Sequence, residues 1–488
     1  MEKKKNKKLV VLVIAIVAAI VGISFGAMAA LGVFQSNKTK AFELLKQTPD
    51  KICETSTGEY FGTSDMVKAM LDNGVDTSVK IYNLKMDAGL EKEVAAVLSK
   101  LQMDIGFQLD MKNKKGRMNL STGVDDNNIS LQAYASLEDQ KAAIAVPELI
   151  ANKVFTLGAD EDSKKDNSQK MQEAAKQFSQ LKDDLSKFID EQGEAVYDGI
   201  TCEKIDKGYR LTVSKEVIQQ FFNSLSGFAE GEQAVLDTVE NLCKVQKGTI
   251  AKAVKEAASD LSSGAENFSF DVLGEGDELT GLKAVIKGKN ESEICCDISF
   301  SEESGEFHKN FTVSVAQKGK TAVKAQMQYT GTSGDSCKET AAYHVTDAEG
   351  STLLNMKTVT ELEKATNKLN VKIDQEQDGI RMNMTAEGSV KNLEKGKCVT
   401  MQYDRMHIVQ EADGEKMEYS LSADVTEGVL DSEVLPLKGE EVPINQELTQ
   451  SFSQKYGQEA VMSLFTILSK WGVDLSGLYN QGMLGGAI

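Results

Sequence analysis

Met103-Asp104-Ile105-Gly106-Phe107-Gln108-Leu109-Asp110-Met111-Lys112 is the stretch whose reading decides the fold. Met103, Ile105, Phe107, Leu109 and Met111 alternate with Asp104, Gly106, Gln108, Asp110 and Lys112. A period of two puts every apolar side chain on one face of a strand, so this segment is expected to bury that face. Asn113–Gly116 reads as a turn, Met118 and Leu120 resume the alternation, and Asp125–Asn128 turns again. Ile129, Leu131, Ala133 and Ala135 follow, and Ala142–Val146 runs up to Pro147. Connections this short allow only hairpins, so the sheet is antiparallel.

The same pattern returns from Phe268 to Val425. The segments are Phe268–Val272, Leu282–Ile286, Ile294–Phe300, Phe311–Val315, Val323–Tyr329, Ala341–Val345, Leu369–Ile373, Ile380–Met384, Val399–Tyr403 and Tyr419–Val425. Turns rich in Gly, Asp, Glu and Asn separate them, as at Asp378-Gly379. About ten short strands at near-regular spacing predict a curved sheet, a barrel or a sandwich. Arg117–Ser121 resembles Arg381–Thr385 at an offset of 264, which raises the expectation of two related sheet-plus-helix units.

Helical spacing lies between and around these runs. Ala41–Leu45 predicts a short helix that stops before Pro49. Thr63-Ser64 is the expected cap of a second helix bearing Met66, Val67, Met70 and Leu71, closed at Asn73-Gly74. Met171, Ala174, Phe178, Leu181, Leu185 and Phe188 mark a long amphipathic helix within 160–193. Three more patterns follow, at Val217–Leu225, Val235–Leu242 and Ile250–Leu261. Val434–Ile444 is held extended by Pro436 and Pro443, and Phe452–Trp471 forms a last amphipathic helix. Gly472–Ile488 reads as a frayed, Gly-rich tail.

At the other end, Leu9–Phe34 carries no charge and follows Lys3, Lys4, Lys5, Lys7 and Lys8. As a helix it spans roughly 39 Å, more than the ~30 Å hydrocarbon core. The expectation is a signal anchor with residues 1–8 in the cytoplasm and everything from Gln35 outside. A cleaved signal is the alternative, since Ala27-Met28-Ala29 fits the small-x-small pattern. Both export the remainder.

A net charge of −19 argues against nucleic acid and anionic headgroups as partners. Seven cysteines, at 53, 202, 243, 295, 296, 337 and 398, show no framework spacing and read as buried thiols. Adjacent Cys295 and Cys296 would face opposite sides of a strand. His308, His344 and His407 sit in no metal-ligand pattern, and no nucleophile elbow or phosphate loop appears. Gly274-Glu275-Gly276 opens onto a strand pattern rather than a helix. Asp160–Asp162 and Glu302-Glu303 read as solvated turns rather than calcium sites, and Phe221-Phe222 fits either the core or the cap of an apolar cavity. No catalytic, cofactor-binding or metal-ligating residue is assigned. The absence of motifs favours a binding or interaction protein, and a hydrolase with an unrecognised carboxylate pair is the remaining enzyme reading.

The order of Ala41–Leu45, the hairpins Met103–Val146, the helix Met171–Phe188, and Tyr197–Thr201 followed by the strand Tyr209–Val213 resembles the lipoprotein-carrier superfamily. That resemblance implies a curved antiparallel half-barrel, closed by helices over a concave face that can hold a lipid tail. The chain also resembles membrane-anchored exported proteins of Gram-positive bacteria, which implies a location only.

The expected fold is therefore α+β: an N-terminal transmembrane helix, then large curved antiparallel meander sheets packed with amphipathic helices, as two related half-barrel-like units. The expected divisions are 1–8 basic tail, 9–34 transmembrane helix, 35–265 first unit, 266–471 meander plus C-terminal helix, and 472–488 tail. The expected function is a membrane-tethered extracytoplasmic binding module for a lipid-like or other apolar ligand. The alternative is a cell-surface structural or protein-interaction protein. The expected partners are the membrane through Leu9–Phe34 and either a lipid-like ligand or a protein.

Overall fold

A computed structural model describes residues 37–87, 92–137, 139, 141–157, 195–231, 268–288, 292–317, 319–377, 379–412, 414–444 and 451–473, with 184, 187, 188, 191, 192, 248, 252, 255, 256, 259 and 448 singly. In chain order, helices α1 (Asn37–Lys46), α2 (Thr48–Cys53), α3 (Ser56–Phe61) and α4 (Thr63–Asn73) precede β1 (Gly74–Asp87). Helix α5 (Lys92–Lys100) leads into β2 (Leu101–Asp110), β3 (Lys115–Val124), β4 (Asn127–Ser136), β5 (Lys141–Ala145) and β6 (Lys153–Leu157). The hairpin β7 (Ile200–Ile205) and β8 (Gly208–Val213) is followed by α6 (Lys215–Gly231). Then come β9 (Phe268–Glu275), β10 (Glu278–Gly288), β11 (Ser292–Glu303), β12 (Glu306–Gln317), β13 (Lys320–Ser333), β14 (Ser336–Asp347) and β15 (Thr352–Glu363). The meander ends in β16 (Lys368–Gln377), β17 (Ile380–Glu394), β18 (Cys398–Ala412) and β19 (Glu415–Val429), before β20 (Glu440–Pro443) and α7 (Gln458–Lys470).

The α+β expectation is corrected: twenty strands form one hydrogen-bonded sheet, to which the described helices are short attachments. Strands outrun their apolar cores because the period of two continues through polar residues. Ile380–Met384 was the expected strand, whereas β17 extends through Thr385, Ser389 and Asn392 to Glu394. β1 alternates Val75, Thr77, Val79 and Ile81 with Asp76, Ser78 and Lys80, and Thr77 in the apolar series hid it from the sequence reading. The described residues contain no helix long and apolar enough to cross a membrane. The expected membrane helix Leu9–Phe34 lies outside them, as do the 472–488 tail beyond Val473, Val235–Leu242 and all of Met171–Phe188 except single residues.

The chain divides into two units, each discontinuous in sequence, whereas the sequence reading divides it at 265/266. Unit 1 comprises 1–54, 173–330 and 341–355; unit 2 comprises 55–172, 331–340 and 356–488.

In unit 1, β7 to β12 pair in succession, all antiparallel. The apolar face carries Leu211, Phe270, Val272 and Ile298, and α1 lays Ala41, Phe42, Leu44 and Leu45 upon it. Phe42 is 1 % exposed and meets Tyr197 edge-on at 4.9 Å. The opposite face is polar, with Arg210 forked onto Asp271 at 2.7 and 2.9 Å. Helix α1 ends at Lys46, before the proline as expected, and Gln47 caps α2, which takes Pro49 into its first turn, where no N–H is needed. The Gln47 amide donates to Asp277 O at 2.7 Å and accepts from Leu279 N at 3.0 Å, tying α1 to the β9–β10 hairpin. Buried Lys309 donates to the carbonyls of Ile52 and Glu54, satisfying the C-terminal end of α2.

In unit 2, β16–β17–β18–β19–β1–β2–β3–β4–β5–β6 pair in that order, all antiparallel, and β20 adds to β6 in parallel. β20 returns after a long excursion of the chain, which frees it from the hairpin constraint. Helix α4 packs Met66 and Met70 against Cys337, Leu362, Leu369, Val390 and Val399. Its cap is not Thr63 or Ser64 but Gly62, whose φ of +71° also closes α3. Glu339 receives Thr57 N at 2.6 Å and Thr57 Oγ1 at 2.9 Å, holding the first turn of α3.

The two-copy expectation fails on register. An ungapped offset of 264 maps the Ile105–Leu120 pair onto Leu369–Met384, but Leu369 pairs with Gly388. Four residues, 111–114, separate β2 from β3, whereas two, 378 and 379, separate β16 from β17. The similarity is therefore one of strand composition.

Within the β2–β3 turn, Asp110 accepts Asn113 N at 2.8 Å and Asn113 Nδ2 at 2.7 Å, and these hydrogen bonds hold its carboxyl below the usual range. Asp110 therefore contributes stability above the unfolded-state pKa of about 3.9, and the contribution is lost as pH falls through its lower folded value. Urea midpoints of the protein and of Asp110→Ala are expected to converge as pH drops below about 4. A gap independent of pH would contradict this.

Candidate ligand-binding face

Residues directly opposite one another on antiparallel strands share a face of the sheet. The register of unit 2 therefore writes out one face as three cross-strand rows. The first runs Leu393, Val399, Glu427, Thr77, Phe107, Met118, Ala133, Ile144, Phe155. The second runs Val390, Met401, Val425, Val79, Ile105, Leu120, Leu131. The third runs Gly388, Tyr403, Ala423, Ile81, Met103, Thr122, Ile129. The other face is polar over β1, β2, β18 and β19, where Gln108 donates to Asp76 at 3.0 Å, Thr400 and Thr426 share a bond of 3.1 Å, and Tyr82 donates to Asp424 at 3.2 Å. Over β4 to β6 it is apolar, with Tyr134, Ala143, Ala145 and Val154 buried beneath Leu430 and Val434.

The ends of the apolar face are covered. Val390 and Val399 lie under α3 and α4, at 4 % and 3 % exposure. At the far end Phe155 meets Phe452 and Tyr456, at 5.5 and 5.4 Å, on the turn that leads into α7. Trp471, just past α7, donates its indole N–H to Asn127 O at 2.6 Å. On the opposite face Lys115 and Lys141 pair with Glu433 and Glu441, and the segment from Leu430 to Leu437 covers Tyr134, Ala143, Ala145 and Val154 there.

Between these covers the face is bare. Ile105, Phe107, Met118, Leu120, Leu131 and Ile144 are each 37–40 % exposed. The alternation puts Ile105, Phe107, Met118, Leu120 and Leu131 on the apolar faces of their strands and predicts burial, whereas the structure leaves them exposed. At ~4.8 Å between strands, β2 to β5 span about 14 Å, so the patch is contiguous rather than scattered. It contains no nucleophile and no acid–base pair; what it can do chemically is shed water onto another apolar surface.

The other sequence features do not converge on a site. His308 lies 3.8 Å from Glu306 within one hairpin, while His344 and His407 are on β14 and β18. Gly274 and Glu275 end β9 and Gly276, at φ +63°, enters the β9–β10 turn. Glu302-Glu303 ends β11, and Asp160–Asp162 lies outside the described residues. Among the described residues no group of His, Cys, Asp and Glu is placed to hold a metal ion. Phe221 packs against the unit 1 core and stands 5.5 Å from Phe222 and 6.2 Å from Phe188. Six described cysteines are free thiols, but only Cys337 is buried; Cys53 is exposed and the others are half-buried, which corrects the expectation of buried thiols. Desolvation pushes the thiols of Cys202, Cys295, Cys296, Cys337 and Cys398 up, away from the reactive thiolate.

No family model matches the chain, and no curated protein matches it. Among solved structures it is similar to an anion-selective porin from Comamonas acidovorans, at 7 % identity over 72 % of this chain and 97 % of that one, with a TM-score of 0.26. It is also similar to the CymD monoaromatic hydrocarbon channel, at 6 % identity, 76 % and 93 % coverage and a TM-score of 0.20. A third similarity is to kievitone hydratase from Nectria haematococca, at 8 % identity, 74 % and 91 % coverage and a TM-score of 0.13.

Proposed function

We propose that the chain is an exported binding module and that the bare face of unit 2 holds the apolar part of a lipid-like ligand. One observation carries this reading: six large apolar side chains on β2 to β5 form a contiguous exposed patch between two covered ends. Covering about 300 Å² of such surface is worth roughly 7 kcal/mol before the costs of association. An acidic chain bearing one apolar face suits an uncharged or positively charged amphiphile better than an anionic one. The exported location rests on the Leu9–Phe34 sequence alone.

Native mass spectrometry of the full-length protein after mild extraction is expected to show adducts of lipid mass. Phe107→Asp with Leu120→Asp is expected to reduce them about tenfold. Because both residues are exposed, the thermal midpoint should move little. An adduct-free protein, or one that copurifies with a protein seated on this face, would overturn the proposal; the latter would favour an interaction surface instead.

A further inference from the structure

Glu427 carries the one charge in the three cross-strand rows. It sits on β19 in the same row as Phe107 and Met118, with Thr77 between Glu427 and Phe107. It is exposed, and its carboxylate has no ion pair or hydrogen bond among the described residues. The Thr77 hydroxyl proton is already spent on Thr426 O, at 2.9 Å, so Thr77 does not neutralise its neighbour. The charge stands in line with the bare patch, with one strand, β1, between it and the β2 edge. Its other row neighbour, Val399, belongs to the part covered by α4.

From this juxtaposition we infer that Glu427 is the headgroup subsite of the apolar face, and that the preferred ligand is an amphiphile bearing a primary or quaternary ammonium group. The inference rests on the binding reading above and adds the chemistry of the polar end. An ammonium placed beside Glu427 gains a charge partner that no described residue supplies, while its chain crosses Phe107, Met118 and Ile144 along the row. A carboxylate or phosphate headgroup with no cation of its own would instead meet like charge.

Three diazirine-bearing probes of equal chain length, an alkylamine, an alkanol and a fatty acid, can be photolysed with the full-length protein and the labelled peptides quantified. Labelling within 101–145 is expected to favour the amine over the alkanol about fivefold at subsaturating concentration, with the fatty acid weakest. Glu427→Gln should equalise amine and alkanol without lowering the alkanol signal, and Glu427→Lys should invert the preference toward the fatty acid. Equal amine and alkanol labelling in the native protein, or an amine preference that survives in Glu427→Gln, would overturn the Glu427 subsite and leave the apolar-face reading intact. No labelling of 101–145 by any probe would overturn both.

Discussion

Phe42→Ala is expected to destabilise unit 1 by about 3–5 kcal/mol. The ring is 1 % exposed between α1 and the apolar face of β7 to β10, edge-on to Tyr197 at 4.9 Å. Truncation loses the transfer free energy of the ring and leaves a cavity. The sheet below cannot collapse into that cavity, because its registers are held by five antiparallel pairings. Nor can α1 shift, since Gln47 pins its end to the β9–β10 hairpin. Urea unfolding followed by a unit 1 probe reads the effect; a loss below about 1 kcal/mol would show that α1 is not part of the core.

Gly74→Ala is expected to cost unit 2 about 3 kcal/mol or more. Gly74 has φ +133°, a conformation that side chains rarely adopt, and a Cβ there would lie 2.0 Å from Leu109 O and 3.1 Å from Asp110 Cα. Both obstacles are backbone, so no rotamer change relieves the clash. Its own groups are committed: its N–H closes α4 on Met70 O, and its C=O accepts Leu430 N at 3.0 Å. Relief therefore requires β1 to move away from β2, at the Gly74–Asp110 and Val75–Leu109 pairs. The same movement disturbs the rows through Thr77 and Val79, so ligand labelling of 101–145 should fall along with the thermal midpoint. A variant with an unchanged midpoint would contradict the register described above.

How far the site was legible follows from particular residues. Ile105, Phe107, Met118, Leu120 and Leu131 were legible as one face, because side-chain parity along a strand and across a tight turn is a local property. Glu427 was not. It stands beyond the predicted strand Tyr419–Val425, and its neighbour Thr77 is in a strand missed altogether. Nothing local relates residues so far apart in the chain, because the entropy of closing a long loop changes slowly with its length. The helices divide in the same way. Met66 and Met70 announced α4 by their spacing, whereas the role of Gly62 as its cap depends on α3 ending at the same glycine.

The sequence by itself determined that most of this chain is amphipathic, antiparallel strand joined by tight polar turns. Period-two patterning and turn chemistry are both written within a few residues. Only the tertiary structure decided that β1 pairs with both β2 and β19, that two discontinuous units result, and that the face alternation assigns to the interior stays bare from β2 to β5. The reason is that alternation specifies which side chains share a face, while the partner of that face depends on which distant segments reach it.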